Sequence, residues 1–345
     1  MPTIEKSELK DFATRLLKAG GFSDEEAGQT ADLLVWANLR GVDSHGVLRI
    51  PRYIEMFESG MICTGQQPRV VKEFGATRVL DFGKAPGSVA MNHAARAASE
   101  LAGKFGIGWC GARAISHAGA IGYFTSQIAE RGQIGVAMTA SRPLMSYFGA
   151  RGEAVSTNPL SIAVPRQANS DPIVLDMSTA AVALGKIMAA RDAGKSIPRG
   201  WAIDATGADT EDPRAMAAVL PMAGPKGSGL SLMIEILASL LVGNAVIGPM
   251  LRNEKKDGFN GLVLAIAPEA FGDSDSFLAS VENLAGAIHD LEPAPEAGKV
   301  RLPGERGFAV AREREATGIP LAAGTASRLA EAADRLGVHI PTSLR

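Results

Sequence analysis

The chain has 345 residues, 46% of them apolar, which is enough for a sizeable core and, on ordinary domain lengths, for two domains. Its 35 Lys and Arg balance 37 Asp and Glu to a formal charge of −2, so there is no single-sign field to attract nucleic acid or an anionic membrane surface. Two cysteines, Cys63 and Cys110, form neither a disulfide framework nor a metal-binding pair, which points to free thiols in a reducing cytoplasm.

The opening MPTIEKSELKDF is too charged for a signal-peptide core. A helical pattern over Lys6–Ala19 closes at Gly20-Gly21, and Ser23 with Glu26 makes a capping box that starts a second helix, so the pair reads as a helical hairpin. In Gly41–Tyr53, GVDSHGVLRIPRY, Asp43 or Ser44 caps a further helix that continues through Tyr53–Phe57 and stops near Gly60, with a kink or restart at Pro51. From Arg69 the texture changes to short β-type runs: a strand over Thr77–Phe82, a helix over Ser88–Phe105, then strands over Gly108–Ile115, Gly135–Thr139, Leu160–Val164 and Pro172–Leu175. Gly200–Pro221 reads as a long connection.

Gly229–Met250 is long and apolar enough to suggest a membrane span, but Glu235 in its middle would be costly there. Gly, Asn and Pro in its second half restrict the helix to Ser228–Val242, which reads as one buried on all sides. A strand over Gly261–Ala267 and helices over Phe277–His289 and Thr325–Leu336 complete the chain. Because strands lie between helical ends, the expected fold class is α/β. A discontinuous helical domain (residues 1–72 with 225–258 and 312–345) would surround an inserted α+β domain (73–224 with 259–311).

Gly106-Ile-Gly-Trp-Cys-Gly111 has GxGxxG spacing, yet a dinucleotide turn needs a strand before it and a helix after it. Here a helix leads in and a strand leads out, so the motif is rejected. Gly224-Pro-Lys-Gly-Ser228 is not a Walker A loop, because its order is Lys-Gly-Ser. Its backbone N–H groups and Lys226 could still hold an anionic or carbonyl group, and a helix start with a solvated lysine explains the segment equally well. Asp176-Met-Ser-Thr179 sits where a strand gives way to a helical stretch ending near Ala190, which suits either a cofactor's phosphate or amide or capping alone.

His45 and Arg49 are four apart and would share one face of a helical turn. Imidazole passes protons near neutrality and guanidinium grips a carboxylate in a fork, the pair that reduction of a 2-oxo acid requires. A solvated helix face is the competing explanation. His117 follows a strand, lies among glycines and precedes the helical Tyr123–Arg131, which makes it a site candidate. His93, His289 and His339 read as structural, and no histidine has the carboxylate spacing of a metal site.

Taken in order, Asp43–Tyr53, Ser156-Thr-Asn-Pro159, Leu175-Asp-Met-Ser-Thr179, Gly224–Gly229 and Leu302-Pro-Gly-Glu-Arg306 resemble the motifs of the malate/L-lactate dehydrogenase family, across nearly the whole chain. That resemblance implies a non-Rossmann NAD(P)-binding fold, with the inserted domain holding NAD or NADP. It also implies a homodimer with sites near the subunit interface, and hydride transfer between the cofactor and C2 of a small 2-oxo acid, or alternatively a cyclic 2-imino acid. A non-catalytic small-molecule-binding protein on the same fold is the rival from another class. By the same resemblance His45 matches the proton donor, Arg49 the carboxylate partner and His117 a second active-site histidine. Leu175, Asp176, Met177, Ser178, Thr179, Lys226, Gly304, Glu305 and Arg306 match cofactor-contacting positions, and Ser141 and Asn158 lie in loops of the same cleft. The chain departs from the family where Ala118 replaces an aromatic residue after His117, which suggests a roomier pocket, and where Ala114-Ile-Ser-His117 lacks the usual upstream asparagine.

Overall fold

The computed structural model describes residues 2–255, 258–296 and 298–344. Met1, Lys256, Asp257, Ala297 and Arg345, which fall within the domain ranges above, lie outside the described residues. A short strand β1 (Thr3–Ile4) leads into α1 (Lys6–Ala19) and α2 (Asp24–Leu39). The Ser23–Glu26 capping box forms as its sequence requires, with both reciprocal bonds present. Two single 3-10 turns, Asp43–His45 and Val47–Arg49, then precede α3 (Ile50–Glu58), which has Pro51 in its first turn. There Pro51 lacks only an N–H that the helix would not have used.

The sheet starts with β2 (Arg69–Phe74) and β3 (Thr77–Ala85), followed by α4 (Gly87–Phe105), β4 (Ile107–Ile115), α5 (Gly122–Ala129), β5 (Ile134–Ser141), β6 (Leu160–Val164) and β7 (Ile173–Met177). Next come α6 (Leu184–Asp192), the paired short strands β8 (Ala202–Ile203) and β9 (Ala218–Val219), α7 (Pro225–Glu235) and α8 (Ile247–Leu251). β10 (Phe259–Ile266), α9 (Ser274–His289), α10 (Glu305–Thr317), β11 (Ile319–Pro320) and α11 (Ala323–Leu336) finish the chain. The seven strands order β2-β3-β4-β10-β5-β6-β7, and only β3 with β4 is a parallel pair. A sheet of that kind excludes the doubly wound parallel architecture and agrees with the expected α/β, non-Rossmann class.

Alternation along the central strands sets the layers. Cys110, Ala112, Ala137, Val263 and Ala265 face α4 and α5, while Ala140 and Leu262 face Ile234 and Ala238. A separate apolar cluster joins α1, α2, α3 and α11 through residues such as Phe12, Leu16, Leu34, Ile50, Ile54 and Leu329. The glycines of the rejected GxGxxG motif have structural work. Gly106 ends α4 in the left-handed region at φ +82°, and a Cβ at Gly108 would lie 1.9 Å from the Ala98 carbonyl oxygen, so β4 can approach α4 only without a side chain there.

Three expectations are corrected. The helix after Gly224 starts at Pro225 and passes into a π-type turn over Ile236–Leu240, and it is not buried on all sides, since Met233, Ile236, Leu237, Leu240 and Leu241 are exposed. The other face of this segment packs on the sheet. Among the described residues no helix is long and apolar enough to cross a membrane. Gly200–Pro221 is not wholly irregular, because it contains the β8–β9 pair. No helix begins directly after Thr179, since α6 starts only at Leu184.

Candidate active site

His45 sits at the end of the first 3-10 turn and Arg49 at the end of the second, with Gly46 extended between them at φ −88° and ψ −156°. The expected α-helical turn is therefore replaced by two tight turns. They still bring the pair together, because Arg49 Nε donates to the Ser44 carbonyl at 2.8 Å. That is the only side-chain hydrogen bond Arg49 makes among the described residues, which leaves both terminal nitrogens of its fork available. Ser44 Oγ lies 3.0 Å from His45 Nδ1.

The double turn is built from outside. Asn38, buried at the end of α2, accepts from Val47 N–H at 2.8 Å through Oδ1 and donates to Asp43 Oδ1 at 2.7 Å through Nδ2. Arg314 on α10 donates to Asp43 at 2.8 Å and to the Asn38 carbonyl. Gly46 lies so close that a Cβ there would fall 2.1 Å from Asn38 Oδ1.

His117, in the loop after β4, stacks on His45 with ring centroids 5.7 Å apart and planes inclined by 19°. Tyr53 Oη lies 2.8 Å from His117 Nδ1, and Phe259 meets the ring edge-on. Burial holds the His45 imidazole down to about 4, and the Arg49 charge adds to that effect. Burial, then Arg49, then His45 keep His117 well below the ordinary histidine range. Both rings are therefore neutral at neutral pH. Ala118 is buried and belongs to the apolar cluster of the sheet core that also contains Leu33, Ile121 and Phe124.

A second group of segments is stitched together by main-chain and hydroxyl bonds. Thr179 N–H donates to Thr157 O, Met222 N–H to Thr179 O, Asn158 Nδ2 to Ser231 O and Ser231 Oγ to Ser156 O, and Ser141 and Ser156 share a 2.7 Å hydroxyl contact. Asn158 Oδ1 and Thr179 Oγ1 are buried with no partner among the described residues. Leu175 O accepts from Ser161 Oγ, Met177 ends β7, Ser178 is half-buried, and Lys226 is exposed in the first turn of α7. Asp176 accepts from Gly122 N–H at 2.9 Å and so caps α5, not a helix of its own segment. Solvent reaches Asp176, yet protein surrounds its carboxyl closely enough that desolvation pushes it up to about 6, against the opposing effects of the Gly122 bond and Arg40.

Gly304-Glu305-Arg306 docks along β7: Val174 N–H donates to Pro303 O, and Gly304, at φ +91°, places its Cα side within 3.0 Å of the Val174 carbonyl as measured to an added Cβ. Glu305 binds His289 Nε2 at 2.6 Å and accepts from Leu302 N–H, while Arg306 is exposed. His289, expected to be only structural, thus anchors this segment. Arg40 lies 3.7 Å above the Phe308 ring and 4.8 Å from that of Trp36, which ties α2 to α10.

The two groups meet at their edges. Gly185, at the start of α6, lies against Ser44 beside His45, and Gly122, five residues beyond His117, holds Asp176. Among the described residues no hydrogen bond or ion pair joins Lys226 or Arg306 to the histidines. Three or more metal-ligating side chains gather nowhere among those residues.

The sequence profile described as malate/L-lactate dehydrogenase matches residues 4–330. A malate dehydrogenase from Pyrococcus abyssi is 34% identical over 346 residues, covering 97% of this chain and 95% of that protein. The solved structure of a malate dehydrogenase from Entamoeba histolytica superposes with a TM-score of 0.92 at 26% identity, covering 98% of this chain and 99% of that one. That of a delta1-piperideine-2-carboxylate reductase from Pseudomonas syringae gives 0.83 at 28%, covering 96% and 100%. The chain belongs to the malate/L-lactate dehydrogenase family. It is accordingly an oxidoreductase, a nicotinamide-dependent dehydrogenase that works at C2 of a small 2-hydroxy acid.

Proposed function

We propose that His45 transfers the proton in this enzyme, that Arg49 binds the substrate's carboxylate, and that His117 completes the pocket around the C2 oxygen. The observation that carries this reading is the stacking of two neutral imidazoles 5.7 Å apart beside an arginine whose terminal nitrogens bond to no described protein group. A carboxylate held in two bonds by Arg49 fixes the orientation of the adjoining carbonyl. NAD or NADP supplies or takes the hydride at C2 when bound. In the oxidation direction His45 is already neutral and can accept the hydroxyl proton. In the reduction direction the substrate's own carboxylate offsets the Arg49 charge that depresses His45, so the imidazole regains proton affinity next to the oxygen it must protonate.

Ser141, Asn158, Leu175–Thr179 and Lys226, with Gly304, Glu305 and Arg306, are proposed to hold the cofactor. Asn158 Oδ1 and Thr179 Oγ1, buried without a partner among the described residues, fit that role. Two features support the proposed division into a helical domain (1–72, 225–258, 312–345) and an inserted domain (73–224, 259–311): the separate α1–α2–α3–α11 core and the sheet core. Residues 225–255 also lean on the sheet. The exposed apolar row from Met233 to Leu241 supports a homodimer, and the two free cysteines suit a cytoplasmic enzyme.

The test is a panel of pyruvate, oxaloacetate and a cyclic imine offered with NADH and with NADPH, followed by loss of reduced-nicotinamide absorbance. His45→Ala should lower kcat by about 10²–10⁴ with cofactor affinity retained. Equal loss of both would overturn the role. The likeness to the piperideine-carboxylate reductase favours one second reading, reduction of a cyclic 2-imino acid, whose nitrogen arrives already protonated. In that case the imine would be the preferred oxidant and His45→Ala would matter less.

A further inference from the structure

Tyr53 is 3% exposed, yet its hydroxyl is spent on a ring nitrogen, His117 Nδ1, at 2.8 Å. The Gly119 N–H points at the same nitrogen from 3.3 Å. A peptide N–H can only donate, so Nδ1 must offer its lone pair, the Tyr53 hydroxyl donates as well, and the ring proton belongs on Nε2. Nε2 bonds to no described protein group and is not sealed from solvent. We propose that Tyr53 is a positioning residue that, with the Gly119 amide, locks His117 as the neutral Nε2–H tautomer. His117 is then a fixed hydrogen-bond donor to the substrate's C2 oxygen, and His45 alone exchanges the proton.

This inference rests on the function proposed above and deepens it by dividing the work between two histidines that look equivalent in sequence. Protonating His117 would set an Nδ1–H against the Gly119 N–H, an obligate donor, even with the Tyr53 hydroxyl turned to accept. The charged and titratable groups that face the ring are Arg49 and His45 from the double turn and Tyr53 from α3, with the uncharged Phe259 on β10, and none of them brings a negative charge at neutral pH that would favour an imidazolium. His45 has no such obligate donor, since its Nδ1 faces only a hydroxyl that can reverse its direction. During reduction, the hydride would come to C2 from the reduced nicotinamide, the carbonyl π pair would move to oxygen, and that oxygen would take a proton from His45 in its imidazolium form, leaving a neutral imidazole. His117 keeps its own proton throughout, and its hydrogen bond strengthens as charge develops on the oxygen. Neutral imidazole is a known way to polarise a carbonyl.

The decisive measurement is ¹⁵N NMR of the full chain labelled at histidine, with the His117 signals assigned by their loss in His117→Asn. The expected spectrum shows His117 as Nε2–H from pH 5 to pH 9, the span over which free imidazole changes charge. An Nδ1–H signal, or protonation of His117 within that range, would overturn the proposal. In Tyr53→Phe only the longer 3.3 Å Gly119 contact is left to hold the ring, too weak alone to fix the tautomer, and the expected result is a mixed-tautomer His117 and about a tenfold loss of kcat/KM for the 2-oxo acid, with KM for cofactor retained and an added ionisation in the pH profile. An unchanged tautomer and pH profile in that variant would also overturn it. The spectrum needs no substrate, so absence of turnover with every oxo acid and imine would refute the function proposed above while the tautomer result is judged separately.

Discussion

Asn38 is the keystone of the double turn, and its removal can be costed. In Asn38→Ala the Val47 N–H, wholly buried and bonded at 2.8 Å, loses its acceptor. A buried donor left unpaired costs about 1–3 kcal/mol, and a bond to a charged group such as the 2.7 Å contact with Asp43 is worth about 1.5–3 kcal/mol, part of which Arg314 recovers. About 3 kcal/mol of destabilisation is expected, read from the urea midpoint at constant slope. Gly46→Ala should also destabilise, because its Cβ would lie 2.1 Å from Asn38 Oδ1. The double variant removes the atom that is struck, so its cost should fall short of the sum by more than 1 kcal/mol, well outside the ~0.3–0.5 kcal/mol scatter of independent sites. Both single variants should also lower kcat, since the turn places His45. Additive costs, or an Asn38→Ala effect below about 0.5 kcal/mol, would refute this account of the turn.

Asp176→Asn should change the pH dependence of stability in the acid range. The carboxyl is raised from near 4 to about 6 in the folded chain, so its own contribution to stability is lost as pH rises through that window, against the gain from His45 and His117, whose depressed folded-state values act in the opposite sense; in thermal melts at pH 4, 5 and 6 the unmutated chain should therefore lose stability relative to the variant. Gly108→Ala should unfold or severely destabilise the protein through contact with the Ala98 carbonyl at 1.9 Å. Were the GxGxxG segment a phosphate loop after all, the variant would instead melt normally and lose cofactor binding, as followed by nicotinamide fluorescence.

What was legible in the sequence had a local cause. α1 carries a clean apolar stripe, α2 a capping box, and β4, β6 and β7 short β-rich runs, of which β6 buries alternate residues. α10 was missed because it buries no residue fully, so ERGFAVAREREAT shows no stripe to read. The pairing of His45 with Arg49 was visible as a spacing, but not its 3-10 geometry, which depends on Asn38 and on Arg314 some 271 residues beyond Asp43. Tyr53 stood in the quoted motif without a role, because its partner His117 lies 64 residues away. The anchoring of Glu305 by His289 had no local signal either.

Two arginines flank the same turn, and their difference in partners separates structure from function. Arg314 is engaged by Asp43 and the Asn38 carbonyl, whereas Arg49 uses only Nε, on a main-chain oxygen, and meets no carboxylate among the described residues. A half-buried fork left open beside imidazoles that its charge helps to keep neutral is arranged for an anion to arrive. Binding of a non-reducible 2-oxo acid mimic such as oxamate, with cofactor present, should therefore raise His45 above about 4 by offsetting the Arg49 charge, while the larger effect of burial stays, and take up a fraction of a proton near pH 5. Calorimetry in two buffers of different ionisation enthalpy measures that uptake directly. Arg49→Gln should weaken oxamate binding and abolish the uptake together, because one charge underlies both. Tight binding with no proton taken up near pH 5 would show that Arg49 does not couple anion binding to His45.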